Sequence, residues 1–241
     1  MRVIALFGPT GVGKTAVALA LARRLRARGE DPVAVSADAL QVYVGLEILT
    51  GVAGAREREQ LEHRLVSFVP LQARFSAGEY ARLAHAEIDG LLAQGRRPIV
   101  VGGTGLYLRA ALAELDFAPP PPDGESQLWS EEMRRPTLLV GLTMAREALY
   151  ARTDARVEEI LAAGAAQEVR DADAAGISVT ARKALGFEEL LAGDVEGMQR
   201  RTRNYARRQL SWMRKMAGVW TIDVTGREAD EVAREILDSG A

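Results

Sequence analysis

GPTGVGKT, residues 8–15, stands between the apolar run VIALF and a helical pattern that begins at Thr15. A continuous apolar run of that length suits a central strand of a parallel sheet, buried on both faces. Gly8, Gly13, Lys14 and Thr15 match G-x-x-x-x-G-K-[ST] in full, with a strand before and a helix after. The glycines let the backbone curl so that several N–H groups point at one anion, and the helix N-terminus adds its partial positive charge. Lys14 supplies a full charge, and the Thr15 hydroxyl is a ligand for Mg2+. Gly8, Pro9, Thr10, Gly11, Val12, Gly13, Lys14 and Thr15 are therefore the phosphate-binding residues. The loop alone leaves open what carries the phosphate.

Outward from the loop, strands alternate with helices. Residues 15–28 read as a helix that Gly29 ends. PVAVS at 32–36 reads as a second strand and HRLVSFV at 63–69 as a short third one. Ser76 with Glu79 three residues on is a capping-box pattern, and the helix behind it should run to about Gln94. RPIVV at 97–101, TLLVGL at 137–142 and WTIDV at 220–224 are further strands. Helices are expected over 146–163, in a short piece near 181–191, and in a long piece near 195–216. This alternation predicts an α/β fold of the P-loop NTPase-like kind, a doubly wound parallel sheet with helices on both faces and a helical C-terminal part. Residues 118–135, APPPPDGESQLWSEEMRR, break the pattern, because four consecutive prolines cannot form a helix interior. They read as a Pro-rich linker between a first part of the core, 1–117, and its completion with a basic helix, 136–241.

The chain has 241 residues, 48% of them hydrophobic and 27% charged, which suits a globular protein with a substantial core. A net charge of −2 means that any nucleic-acid surface must be local. The absence of cysteine excludes a disulfide framework, a cysteine zinc site and a thiol nucleophile. No apolar run reaches the roughly 18 residues of a membrane span, and the N-terminus shows no basic n-region or cleavage site. The cytoplasm is the expected compartment.

Asp38, in VSADALQVY, follows the second strand at the carboxyl edge of the sheet, where ligands bind in such folds. It reads equally as a general base or magnesium ligand and as the N-cap of a short helix starting at Ala39. GGTG, residues 102–105, ends the RPIVV strand at the same edge and brings the Thr104 hydroxyl there. The long C-terminal helix carries Arg200, Arg201, Arg203, Arg207, Arg208, Arg214 and Lys215 with no acid among them. Seven-residue spacing lines up Arg200, Arg207 and Arg214 in one row and Arg201, Arg208 and Lys215 in a second, beside an apolar stripe of Met198, Tyr205, Trp212, Met213 and Met216. Such a face can track a phosphate backbone, or it can be a solvated face balanced by acids elsewhere. His63 and His85 have no metal-site spacing. Tyr43, Phe75, Tyr80 and Trp129 read as packing residues.

Together the segments resemble the tRNA dimethylallyltransferases, also called tRNA isopentenyltransferases. The matching pieces are GPTGVGKT at Gly8, SADALQVYVG at Ser36, HRLV at His63, FSAGEY at Phe75, RPIVVGGTGLYLRA at Arg97, ARKALGFEEL at Ala181 and RRTRNYARRQLSWMR at Arg200. The resemblance implies transfer of a dimethylallyl group from dimethylallyl diphosphate to N6 of the adenosine 3′ of a tRNA anticodon. It implies that the loop binds the leaving diphosphate, with Lys14 and Mg2+ stabilising its charge. It makes Asp38 the general base and Thr104 a contact to the target adenine. It places Asp38, Ala39, Leu40 and Gln41 on the tRNA, with Arg182, Arg200, Arg207 and Arg208 as further tRNA contacts and Arg156 as a contact to the diphosphate. The adenine must leave its stack to react. A monomer is expected.

Three departures from the family pattern stand out. Members carry a helical insertion of several tens of residues, including an arginine-rich helix that grips tRNA, where this chain has APPPPDGESQLW. The lysine of a T-A-K-P element is absent from LTGVAGARE, and paired histidines are replaced by His63-Arg64. A C-terminal zinc finger is also absent. Two other readings are compatible with the loop: a small-molecule or nucleotide kinase that uses ATP, and an inactive shortened RNA-binding protein.

Overall fold

Strand β1 (Val3–Phe7) divides its five buried side chains between two cores. Ile4 and Leu6 point into one, Val3, Ala5 and Phe7 into the other, so both faces demand apolar residues and the run is continuous. These features belong to a computed structural model that describes residues 2–117 and 127–240. β2 (Pro32–Ser36), β3 (Glu62–Arg64), β4 (Arg97–Gly102), β5 (Thr137–Thr143) and β6 (Trp220–Asp223) complete one sheet in the order β3-β2-β4-β1-β5-β6. Every pairing in it is parallel, as expected.

Helices α1 (Lys14–Ala27) and α10 (Ala229–Asp238) cover the first core with Val17, Leu21, Leu25, Val232 and Ile236. Helices α4 (Ala77–Ala93) and α5 (Gly105–Leu112) cover the second with Tyr80, Ile88 and Leu108. A third core is helical. It joins α2 (Glu47–Thr50), α6 (Arg146–Ala162), α7 (Ala165–Ala174) and α8 (Phe187–Leu191) through Leu49, Val157, Val169 and Phe187. Helix α9 (Val195–Met213) touches all three, with Met198 in the helical core, Ala206 in the first and Met213 in the second. The short α3 (Ala55–Gln60) leads into β3.

The capping box at the head of α4 forms as the sequence predicts. The Glu79 amide donates to Ser76 Oγ, and the Glu79 carboxylate accepts from the Ser76 amide at 2.8 Å. The third strand is shorter than the expected 63–69, because Leu65 and Ser67 adopt left-handed φ values of 58° and 48° that end the ladder. The piece near 181–191 is a 3-10 turn, Ala181–Lys183, followed by α8. The long basic helix ends at Met213 rather than Met216. Tyr43 and Tyr80 are fully buried packing residues. Of the expected linker, 118–126 lie outside the described residues. Beyond them Gln127–Trp129 form a 3-10 turn, and the Arg134 amide donates to Leu112 O at 2.8 Å. Among the described residues, no helix is long and apolar enough to cross a membrane.

Candidate active site

Because the strands are parallel, β1, β2 and β4 end at one edge, and the segments after them meet there. A cleft of about 510 Å3 opens between that edge and the helical core. Thr10, Gly11, Gly13, Lys14, Thr15, Asp38, Gln41 and Gly103 line its sheet side, and Arg152, Arg156, Met198 and Tyr205 its helical side. Gly11 and Gly13 have φ of 80° and 101°, the left-handed geometry that curls the loop. The Lys14 ammonium turns back onto the loop, donating to Gly8 O at 2.9 Å and Pro9 O at 3.0 Å. Burial lowers its pKa to about 8, against the raising influence of Asp38, and Arg156 lowers it further.

Asp38 Oδ1 accepts from the Leu40 amide at 3.0 Å, which closes an Asx turn. No helix starts at Ala39; residues 39–45 are bends and turns around a single bridge from Tyr43 to Val69, and the first helix after β2 begins at Glu47. The N-cap reading of Asp38 is thereby replaced by a turn that aims the carboxylate into the cleft. Thr104 Oγ1 lies 3.4 Å from the Ala39 amide, so the Asp38 and Thr104 segments touch. Gln41 is engaged within the protein: its Nε2 donates to Gly51 O at 3.1 Å, and Ser36 Oγ donates to its Oε1 at 3.0 Å.

Several cleft residues escaped the sequence reading. The Arg152 guanidinium lies against Gly13, 3.4 Å from where a Cβ would be. The Tyr205 hydroxyl lies beside Thr104 and Gln209, and burial pushes its pKa up to about 12, so it remains a neutral donor. Gln209 bonds both to the phosphate loop and to Gly103. Arg156 was expected and is present, its guanidinium packed over Gly51.

The basic helix divides in two. Arg200 pairs with Asp194 and Glu196, Arg201 with Glu189, and Arg203 with Asp154. Arg182 is held by Asp173 and Glu188 and lies outside the cleft lining. Among the described residues, Arg207 and Arg208 have no acidic partner. They line a second, more open groove with Arg146 and Arg214. The expected stripe beside the arginines is largely internal: Met198, Met213 and Met216 are buried, and Trp212 packs at a tilt against Trp129 with ring centroids 4.8 Å apart.

The family model described as IPP transferase matches residues 41–137 and 124–216. A tRNA dimethylallyltransferase of Thermobifida fusca is 32% identical over 277 positions, covering 88% of this chain and 87% of its own length. One from Rhodospirillum centenum is 36% identical over 281 positions, covering 88% of each. The chain belongs to the tRNA dimethylallyltransferase family. The full-length tRNA isopentenylpyrophosphate transferase of Bacillus halodurans superposes with a TM-score of 0.86 at 26% identity, over 99% of this chain and 95% of the other. A Staphylococcus epidermidis structure at 24% identity, with a TM-score of 0.82, shares the fold. Both sequence alignments run over more positions than the 241 residues of the chain, so these dimethylallyltransferases carry residues that have no counterpart here.

The cleft of this dimethylallyltransferase offers oxygen donors to a hard cation in Thr15 and Asp38. Among the described residues, no group of three or more His, Cys, Asp and Glu is placed to hold a metal. That donor set fits Mg2+, which keeps several waters and takes the rest of its ligands from substrate phosphates.

Proposed function

We propose that this transferase moves the dimethylallyl group of dimethylallyl diphosphate to N6 of the adenosine 3′ of a tRNA anticodon. The observation that carries the reading is the meeting of a phosphate loop and a turn-held carboxylate, Asp38, in one cleft beside Thr104. Gly8, Pro9, Thr10, Gly11, Val12, Gly13, Lys14 and Thr15 hold the diphosphate. Lys14 trades its two carbonyl partners for phosphate oxygens, and Arg152 and Arg156 close on the same anion from α6. Thr15, with Asp38 nearby, would hold Mg2+. The metal, when bound, neutralises charge on the leaving diphosphate.

Thr104 contacts the unstacked adenine, and Asp38 takes the proton of N6 as that nitrogen attacks. The N6–C bond forms, the allylic C–O bond breaks, and diphosphate leaves with the bonding pair. Ala39, Leu40 and Gln41 face the tRNA, and Arg207 and Arg208 meet its backbone. Arg182 and Arg200, being ion-paired, add little. Residues 118–135 stand where relatives carry their extra residues, which is supported by a family match in two stretches that meet at 124–137. The working unit is read as a cytoplasmic monomer.

The test is incubation with dimethylallyl diphosphate, Mg2+ and an unmodified tRNA that has adenosine after its anticodon. Isopentenyladenosine in the digested product is the expected result. Its absence, with tRNA and donor both bound, sinks the reading.

A further inference from the structure

Gln209 is 4% exposed, on the inner face of α9. Its Oε1 accepts from the Thr10 amide at 2.8 Å, and its Nε2 donates to Gly103 O at 2.8 Å. The two partners fix the amide's orientation, since a flipped amide would set donor against donor and acceptor against acceptor. Gly103 is shaped for this contact: a Cβ there would lie 2.3 Å from Gln209 Nε2. One side chain thus ties the phosphate loop to the turn that carries Thr104. It does so from the helical turn whose outer face bears Arg207 and Arg208.

We propose that Gln209 is a positioning residue, an amide clasp that holds the phosphate loop and the Thr104 turn in register for transfer. Its two partners follow different strands, Thr10 after β1 and Gly103 after β4. Without the clasp, the Thr10 N–H and the Gly103 carbonyl lose their partners in a part-buried site, and both segments shift to find others. A shift of an ångström between donor and acceptor pockets costs about 100-fold in rate. The proposal rests on the transferase reading for its chemical step but not for its anion-binding step.

The test uses the full chain with Gln209→Met, which keeps length and loses both bonds, and Gln209→Glu. The glutamate keeps an acceptor for Thr10 but faces the Gly103 carbonyl with a carboxylate. When protonated, it restores the donor. In variants shown folded by circular dichroism, Gln209→Met is expected to lower kcat by about 10- to 100-fold. It should also weaken calorimetric binding of inorganic pyrophosphate with Mg2+, while the tRNA dissociation constant stays within about threefold. The activity of Gln209→Glu relative to wild type should rise as pH falls from 8 to 6. A residue that merely packs would give no such rise.

The proposal is overturned if kcat and pyrophosphate affinity of the folded Gln209→Met variant stay within twofold of wild type, or if the loss is confined to tRNA binding. If wild type binds pyrophosphate and tRNA but transfers nothing, the transferase reading fails. The pyrophosphate arm then still decides the clasp.

Discussion

Lys14 is cationic below its pKa of about 8 in the free protein and neutral above it. The diphosphate needs the cation, so kcat/KM for the donor should fall as pH rises through about 8. The bound anion favours the charged form and raises the lysine pKa, so kcat itself should persist to higher pH. Steady-state profiles between pH 6.5 and 9.5 separate the two. Asp38→Ala should reduce transfer by about 100- to 10,000-fold and leave tRNA binding intact; unchanged turnover would reduce Asp38 to a turn former. Both residues were legible because their signals are local: a Gly-rich loop after a strand, and an acid just past another. Gln209 has no local signal, because its partners are 199 and 106 residues away. The same holds for Arg201 and Arg203, whose acids, Glu189 and Asp154, come from other helices.

Helix α9 is one element with two electrostatic halves, and substitution should expose the boundary. Arg207→Ala with Arg208→Ala should weaken tRNA binding and lower the salt slope of log K by about 1–2. Arg200→Ala should change neither by much, since its charge is answered by Asp194 and Glu196. Filter binding across a salt series reads both. At the far end of α9, Trp212 fills the space above Gly105, where a Cβ would lie 2.2 Å from the indole Cε3. Gly105→Ala should therefore destabilise the fold by roughly 1–3 kcal/mol, measurable by urea unfolding. Helix α5 escaped the sequence reading because seven of its eight residues are buried, which leaves no amphipathic period to detect. Helix α4 was legible from its capping box alone. The true end of β3 depends on left-handed Leu65 and Ser67, which nothing in HRLVSFV announces.

At the scale of the whole molecule, the described residues on either side of 118–126 are tied to the core. Arg134 bonds to Leu112 O, and its guanidinium pairs with Asp89 and Glu114, so chain leaves α5 and returns to β5 through a pinned stem. Loop closure grows only slowly with length, about 0.6 kcal/mol per doubling. Grafting a relative's longer segment between 117 and 127 should therefore keep the fold and tighten tRNA binding. A melting temperature within a few degrees of wild type and a lower dissociation constant are the expected readings. The parallel pairing of the sheet follows from alternating strands and helices, whereas the third, helical core had no signature beyond helix propensity. The distribution of the site along the chain also bears on its synthesis. The phosphate loop leaves the ribosome before the segments that complete it: β1 waits for Thr137 and its neighbours to flank it, and Thr10 waits for Gln209. At typical elongation speeds that delay is roughly 10–40 s. A nascent chain released before α9 would carry the whole nucleotide-like motif and still lack a finished anion pocket.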